Sequence, residues 1–416
     1  MAVVKPFAAV RPKPEKAEEV SALPYDVMNR EEAAEMAKDK PDSFLHVSRS
    51  EIDMDKDIDP YDHRVYVKAR ENLMDMMGRG VMIKDSEPKY YIYRQIMEGR
   101  AQTGIVARAS IDDYLNDVIK KHEHTRPEKE RDRINHFDVV NANTEPVFFA
   151  YRSQEKINEI IEEWIDKNDG VYDFVSEDDI RHQLWVVDRK GVVEALEGLF
   201  ADVPNLYIAD GHHRTASATK VGISRREQNP DYTGEEPFNY MMAVIFPHDE
   251  LLIMDYNRVV KDLNGHTKEA FIEKIKENFD LEKVPDKEPY KPEKLHTFGM
   301  YLEDQWYKLT AKDSVIVEED PIKRLDVSIL QEYLLSPILG IENPRTDKRI
   351  DFVGGIRGLK ELEKRVKKDM KVAFSMYPTP IEDLFAISDA GEVMPPKSTW
   401  FEPKLRSGLF VYLLDE

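Results

Sequence analysis

The sequence predicts a mixed fold of α-helices and β-strands, and three observations carry that expectation. Runs rich in Tyr, Ile and Val at Lys89 to Gln95 and Thr103 to Ala109 flank Glu98-Gly99-Arg100, the pattern of a β-hairpin. Ile111, Tyr114, Leu115, Val118 and Ile119 then recur at helical spacing, so one apolar face docks a helix on the sheet. Lys120 and Lys121 close that helix where positive charge is favoured. Finally, short apolar strands keep alternating with amphipathic segments along most of the chain.

In order, the opening Phe7-Ala8-Ala9-Val10-Arg11-Pro12 reads as a short strand stopped by its proline, and Arg30 to Lys38 as a helix. Pro127 suits the first position of a helix capped near Thr125 or Arg126. Further strands are expected at Pro146 to Tyr151, Gln183 to Val187, Leu206 to Ala209, Asn239 to Phe246 and Leu251 to Tyr256, with helices near Gln154 to Lys167 and Val192 to Leu199. A hairpin (Leu295 to Leu309), helices from Asp326 to Leu335 and Gly358 to Val366, and a strand at Leu409 to Leu414 complete the reading. The charge- and Pro-rich stretch Asn278 to Lys294 reads as a boundary or equally as a long surface loop.

With 416 residues, 41% of them hydrophobic, the chain exceeds one ordinary core. We expect a catalytic α/β region over 1–265 and a C-terminal α/β region over 266–416. The 60 Lys and Arg against 81 Asp and Glu give a net charge of −21, which disfavours nucleic-acid and anionic-membrane partners. The absence of cysteine removes disulfides, thiolate metal sites and cysteine nucleophiles, and fits a reducing cytoplasm. Lys5 and Pro6 break up the apolar N-terminus, which speaks against a secretory leader, and no run approaches the roughly 18 apolar residues of a membrane span.

The strongest chemical signal is Leu206-Tyr207-Ile208-Ala209 running into Asp210-Gly211-His212-His213-Arg214-Thr215. An apolar strand followed by a glycine turn and a helix start presents backbone N–H groups that lack intrahelical partners, and these cradle an anion. Arg214 adds a fork-shaped cation for phosphate, and Asp210 could hold Mg²⁺ or orient a histidine. Asp210 as a plain helix cap beside solvated histidines is the competing account, but a His pair flanked by Asp and Arg at such a turn favours function. A second cluster, Lys121-His122-Glu123-His124-Thr125-Arg126, offers Glu123 as a general base, or is a hydrated charge cluster. Arg126 stands where H-E-x-x-H needs its second histidine, so a zincin is disfavoured. Neither a Walker A sequence nor G-x-G-x-x-G occurs. Near the C-terminus Lys397, Ser398 and Thr399, with Pro403-Lys404 beyond them, form a basic loop that either binds phosphate or clamps the chain end. Tyr25 with Asp26, and His46 with Arg49, are candidate substrate contacts or satisfied buried polar groups.

Asp210 to Arg214 after an apolar strand, with Lys121-His122-Glu123 upstream, resembles the free-serine kinases of the ParB/sulfiredoxin-like superfamily. In those, a Lys-Pro-His-Glu segment supplies the catalytic glutamate and an Asp-Gly-His-His-Arg turn holds the phosphates. Here the proline is missing and 87 residues separate Glu123 from Asp210, so the extra length reads as an insertion. The whole chain also resembles the family catalogued as domain of unknown function 1015. Its hallmarks appear as Leu23-Pro24-Tyr25-Asp26-Val27, Ser43-Phe44-Leu45-His46-Val47, His122-Glu123-His124-Thr125, the Asp210 turn and Met394-Pro395-Pro396-Lys397-Ser398-Thr399. The resemblance implies a ParB/sulfiredoxin-like catalytic core with insertions and an α/β C-terminal part. It further implies phosphoryl transfer from ATP or ADP, with Mg²⁺ through Asp210, to a small acceptor, foremost free L-serine. Catalysis would fall to Glu123, His122, Asp210, His212 and His213, with phosphate held by Gly211, His212, His213, Arg214, Thr215 and the 397–399 loop. A nucleotide-binding regulatory protein and a phosphoester hydrolase are the alternatives, and oligomeric state is left open.

Overall fold

Glu98 and Gly99 both have positive φ, 52° and 81°, the two-residue turn that matches the twist of a tight hairpin. It joins Tyr90–Met97 to Arg100–Ser110, whose buried Tyr, Ile and Val side chains centre the main sheet. The structure, a computed structural model, describes residues 1–285 and 288–415. Residues 286–287, inside the Asn278 to Lys294 stretch, lie outside the described residues. The chain divides into two compact units, Met1–Leu251 with Pro403–Glu416, and Leu252–Glu402.

The first unit is built on a mixed sheet. Its strands run in the order Ile119–Lys120, Leu206–Asp210, Val147–Tyr151, Tyr240–Pro247, Arg100–Ser110, Tyr90–Met97, Arg181–Val187 and Tyr172–Val175, and Val4–Lys5 pairs with Arg100–Ser110. Most neighbours are antiparallel, but Leu206–Asp210 runs parallel to Ile119–Lys120 and Val147–Tyr151 runs parallel to Tyr240–Pro247. Val147–Tyr151 and Tyr240–Pro247 are buried at every position, as expected of strands covered on both faces. Helix Pro127–Val140, with proline at its first position and Arg126 as its cap, packs against His212–Gln228 and against His63–Gly78. An apolar cluster including Val10, Phe44, Leu73, Val140 and Val411 joins His63–Gly78 and Pro127–Val140.

The second unit has an antiparallel sheet ordered Phe279–Lys283, Gln305–Ala311, Thr297–Leu302, Val372–Ser375, Tyr256–Val260 and Ile350–Gly354. Helix Leu359–Lys368 buries Leu362 in a cluster with Val259, Trp306 and Ala373. The entering strand Leu252–Met254 pairs with the leaving strand Trp400–Glu402.

The mixed α and β architecture is as expected, and three local expectations are corrected. The helix expected from Ile111 to Lys121 stops at Leu115, Asp117 turns the chain at φ 57°, and Ile119–Lys120 becomes a strand. Its pairing with Leu206–Asp210, continued by the Leu206 amide on the Val118 carbonyl at 3.0 Å, outweighs the helical periodicity. The expected strand at Leu251 to Tyr256 is two strands, Leu252–Met254 and Tyr256–Val260. The units also differ from a division at 265/266. Tyr256–Val260 is an inner strand of the second sheet, and the last residues return to the first unit, where Tyr412–Leu413 pairs with Ala142–Asn143. Among the described residues no helix is long and apolar enough to cross a membrane.

Candidate functional site

Parallel neighbours deliver their following residues to the same edge of a sheet. Ile119–Lys120 leads into His122–Arg126, and the adjacent Leu206–Asp210 leads into the Asp210–Arg214 turn, so the two sequence clusters meet. A β-bulge between Ile208 and Asp210, opposite Phe148 and Phe149, redirects the strand end just before the turn. Gly211 caps the helix His212–Gln228 with φ 92°, a conformation that strains any residue with a Cβ. Within this helix the first backbone bond runs from the Thr215 amide to the Gly211 carbonyl at 2.9 Å, so the amides of His212, His213 and Arg214 come before it. Three N–H groups at the positive end of a long helix are suited to receive an anion.

Two contacts knit the clusters together. The His122 amide donates to His212 Nε2 at 3.5 Å, and the Arg126 amide donates to His213 Nε2 at 3.0 Å. Both Nε2 atoms are therefore acceptors, which puts the proton of each neutral ring on Nδ1. For His212 that atom lies 3.9 Å from Glu123 Oε2. The His122 and His212 rings stand edge to face with centroids 4.4 Å apart. Burial pushes His122 down to about 4 and His212 well below the ordinary histidine range, the latter helped by its neighbouring imidazoles. Burial and the Arg126 charge also lower His213. The histidines are thus neutral at pH 7. Positive charge at the turn does not come from these imidazoles, because their desolvation outweighs the nearby carboxylates.

Positive charge comes instead from Arg214 and Lys404. Arg214 is buried, and its Nη1 donates to the Pro146 carbonyl at 2.5 Å. Its guanidinium lies over Gly211, where an added Cβ would sit 3.1 Å from Nε. Burial works against its charge, but Asp26, Asp210 and Glu145 outweigh that and hold its pKa up. Lys404, on the returning segment, donates to Asp210 Oδ2 at 3.1 Å, and its own carbonyl accepts from Gln95 Nε2 at 2.9 Å. Asp210 Oδ1 accepts the Gly211 amide at 2.8 Å. Burial alone would raise the Asp210 carboxyl, yet Lys404, Arg214 and that amide hold it well below the usual carboxylate range. Asp210 thus has one oxygen on the Gly211 amide and the other on the Lys404 ammonium. Among the described residues no cluster of three His, Asp or Glu side chains could hold a metal.

Tyr25 and Asp26 do join this neighbourhood. Tyr25 is buried with its ring 3.8 Å from the Arg133 guanidinium, and the charge of Asp26 acts on both Arg214 and His213. Arg49 acts one step back, donating to the Tyr25 carbonyl at 2.9 Å and the Met28 carbonyl at 3.0 Å. His46 instead pairs with Asp53 at 2.7 Å and with the Lys40 carbonyl, contacts that raise its pKa and leave it a structural role. Thr215 spends its hydroxyl on the Gly211 carbonyl. Lys397, Ser398 and Thr399 belong to the second unit, where the loop is knit to itself and to its neighbours. Ser398 Oγ donates to the Pro395 carbonyl, its own carbonyl accepts from Thr379, and the Lys397 carbonyl accepts from Arg258.

The sequence reading missed three charged residues. Lys404 was visible only as part of a basic loop. Arg133 sat in the charge run 128–133, which resembles a solvated helix face, and Glu145 preceded an apolar strand with no motif around it.

Solved structures resemble the chain faintly. A mutant free serine kinase in complex with ADP has 15% identity and a TM-score of 0.36, covering 74% of this chain and 93% of its own. A free serine kinase in complex with AMP has 16% identity and a TM-score of 0.35, covering 74% and 92%. SbnI from Staphylococcus aureus, truncated at its C-terminus, has 10% identity and a TM-score of 0.38, covering 74% and 87%. Likeness at this level says nothing of what the chain binds. No curated protein matches it. The family model described as protein of unknown function (DUF1015) matches residues 4–328, and the chain belongs to that family.

Proposed function

We propose that the protein is a small-molecule kinase that transfers the terminal phosphoryl group of ATP or ADP to a hydroxyl, foremost that of free L-serine. One observation carries the reading: Glu123, exposed enough to meet a substrate, stands 3.9 Å from a histidine at the N-terminus of a helix built to receive an anion. In the reaction the acceptor oxygen forms a bond to phosphorus as the bond to the nucleotide oxygen breaks. The hydroxyl proton passes to the Glu123 carboxylate, and the departing nucleotide keeps the negative charge. A serine hydroxyl is a weak nucleophile at neutral pH, so a carboxylate within reach matters most as the proton leaves. The amides of His212 to Arg214, the Arg214 guanidinium and the Lys404 ammonium stabilise the charge spread over the transferring oxygens. His212, neutral with its proton on Nδ1, lies 3.9 Å from Glu123 and does not compete for the proton.

Incubation of the protein with L-serine, Mg²⁺ and ATP or ADP, followed by phosphorus NMR, tests the proposal through the appearance of O-phosphoserine. Glu123→Gln should lower turnover by about 10² to 10⁴, the usual worth of a general base, with nucleotide affinity unchanged. Equal turnover in that variant removes Glu123 from the mechanism. Release of free phosphate alone would make the protein a hydrolase, and nucleotide binding without any product would make it a regulatory protein.

A further inference from the structure

Beside the Asp210 turn, three buried charged side chains each carry an atom without a hydrogen-bond partner: Arg133 Nη1, Glu145 Oε2 and Arg214 Nε. Arg133 is 5% exposed and Glu145 1%. Each is anchored on one side only. Arg133 Nε and Nη2 hold Asp132 Oδ2 at 3.0 and 2.9 Å, while the guanidinium covers the Tyr25 ring. Glu145 Oε1 accepts the Tyr25 amide and the Ser407 hydroxyl, both at 3.1 Å. Two remote segments, the short turn Tyr25–Val27 and the returning C-terminal segment at Ser407, thus fix this carboxylate and leave its second oxygen open.

Folded proteins rarely leave buried charged atoms unpaired, because desolvation is then uncompensated. Here the open atoms are complementary, one guanidinium donor and one carboxylate acceptor on side chains that both contact Tyr25. Burial, the larger effect, and Asp26 push the Glu145 carboxyl up, while Arg214 and Arg133 pull it down without outweighing them. An incoming ammonium would reverse that balance, and an incoming carboxylate would complete Arg133.

We propose that Glu145 and Arg133 form a subsite for a free α-amino acid, Glu145 Oε2 accepting from its ammonium and Arg133 Nη1 donating to its carboxylate. As the acceptor subsite of the kinase it rests on the reading above. As a binding site it stands apart from turnover. Arg214 links it to the phosphate cradle, since the charges of both Glu145 and Asp210 act on that guanidinium.

Calorimetry on the full chain, with and without ADP, tests the subsite with L-serine, L-alanine, serinamide and N-acetyl-L-serine. L-Serine and L-alanine should bind within about tenfold of each other, because recognition lies at the ammonium and carboxylate. Serinamide and N-acetyl-L-serine should each lose at least about a hundredfold, the penalty when a site built for a polar group meets an analogue lacking it. Glu145→Gln should relax discrimination against N-acetyl-L-serine and Arg133→Lys against serinamide. The ligand series needs no variant, so it decides even where a variant fails to fold. Absence of amino-acid binding under both conditions, or equal binding of all four ligands, overturns the subsite. Amino-acid binding without phosphoserine keeps the subsite and removes the kinase. Phosphoserine formation with an acceptor KM unmoved in both variants keeps the kinase and removes the subsite.

Discussion

Replacing Gly211 by alanine tests whether Arg214 is held over the cradle, because a matched control exists in the same unit. Gly211 has φ +92° and Gly234 has φ +94°, so alanine at either position should incur the same backbone strain, about 1–2 kcal/mol. Around Gly234 a new Cβ meets nothing within 4 Å. At Gly211 it would lie 3.1, 3.2 and 3.3 Å from Arg214 Nε, Cζ and Nη2, closer than ordinary contact. Arg214 cannot simply swing away, since Nη1 is bonded to the Pro146 carbonyl at 2.5 Å and Nη2 lies 3.9 Å from Asp210. Loosening that charged hydrogen bond costs about 1.5–3 kcal/mol, which sets the expected excess of Gly211→Ala over Gly234→Ala. Hydrogen exchange in the strands Leu206–Asp210 and Tyr240–Pro247 reads the stability difference. Displacing the guanidinium should also weaken ADP binding by about tenfold or more, each tenfold being about 1.4 kcal/mol, while Gly234→Ala stays within about twofold. Identical stability and ADP affinity in the two variants would refute a guanidinium fixed over Gly211.

Two further outcomes follow from the electrostatics. Lys404→Met removes the ammonium from Asp210 Oδ2, and with both side chains partly exposed we expect a loss of about 1–3 kcal/mol, lower than for a fully buried pair. Asp210→Asn in the same background should recover much of it, and a double-mutant cycle in urea that shows no coupling would refute the pairing. Mild acid should weaken the first unit, because a buried neutral histidine has its folded pKa below the unfolded value and contributes stability that is lost as pH falls. His122, lowered from 6.5 to about 4, accounts for about 3 kcal/mol of loss by pH 4, at 1.36 kcal/mol per unit. His136, His182 and His212 act in the same direction. In the same unit, Asp113, raised to about 6 by burial, opposes them. In the second unit, burial raises Asp326 to about 7, so protonation there stabilises as pH falls from 7 to 5. Hydrogen exchange at pH 7 and 5 should show protection falling in the first unit only, and a uniform change across both units would contradict this assignment.

Local chemistry made much of the fold legible. The Glu98-Gly99 turn announces its hairpin, Pro127 its helix start, and the apolar run Leu206 to Ala209 its strand, because each depends on the preferences of a few adjacent residues. Legibility failed where distant pairing overrode local pattern. Ile119 and Lys120 continue a helical period in sequence, yet they form the edge strand beside Leu206–Asp210 that brings Glu123 to the turn. The amphipathic helix His63–Gly78, too, went unread in a charge-rich stretch.

By itself, the sequence determined the mixed α and β character and singled out the Asp210 to Arg214 turn and Glu123 as candidate site residues. It also determined that no cysteine of this chain takes part in any chemistry here. Tertiary structure alone decided which groups carry charge. Burial strips it from His122, His212 and His213, while Arg214 keeps it among carboxylates and Lys404 brings a cation from a segment 194 residues beyond Asp210. The reason is physical: turn and strand propensities act between neighbours in the chain, whereas desolvation and Coulomb interactions act between neighbours in space.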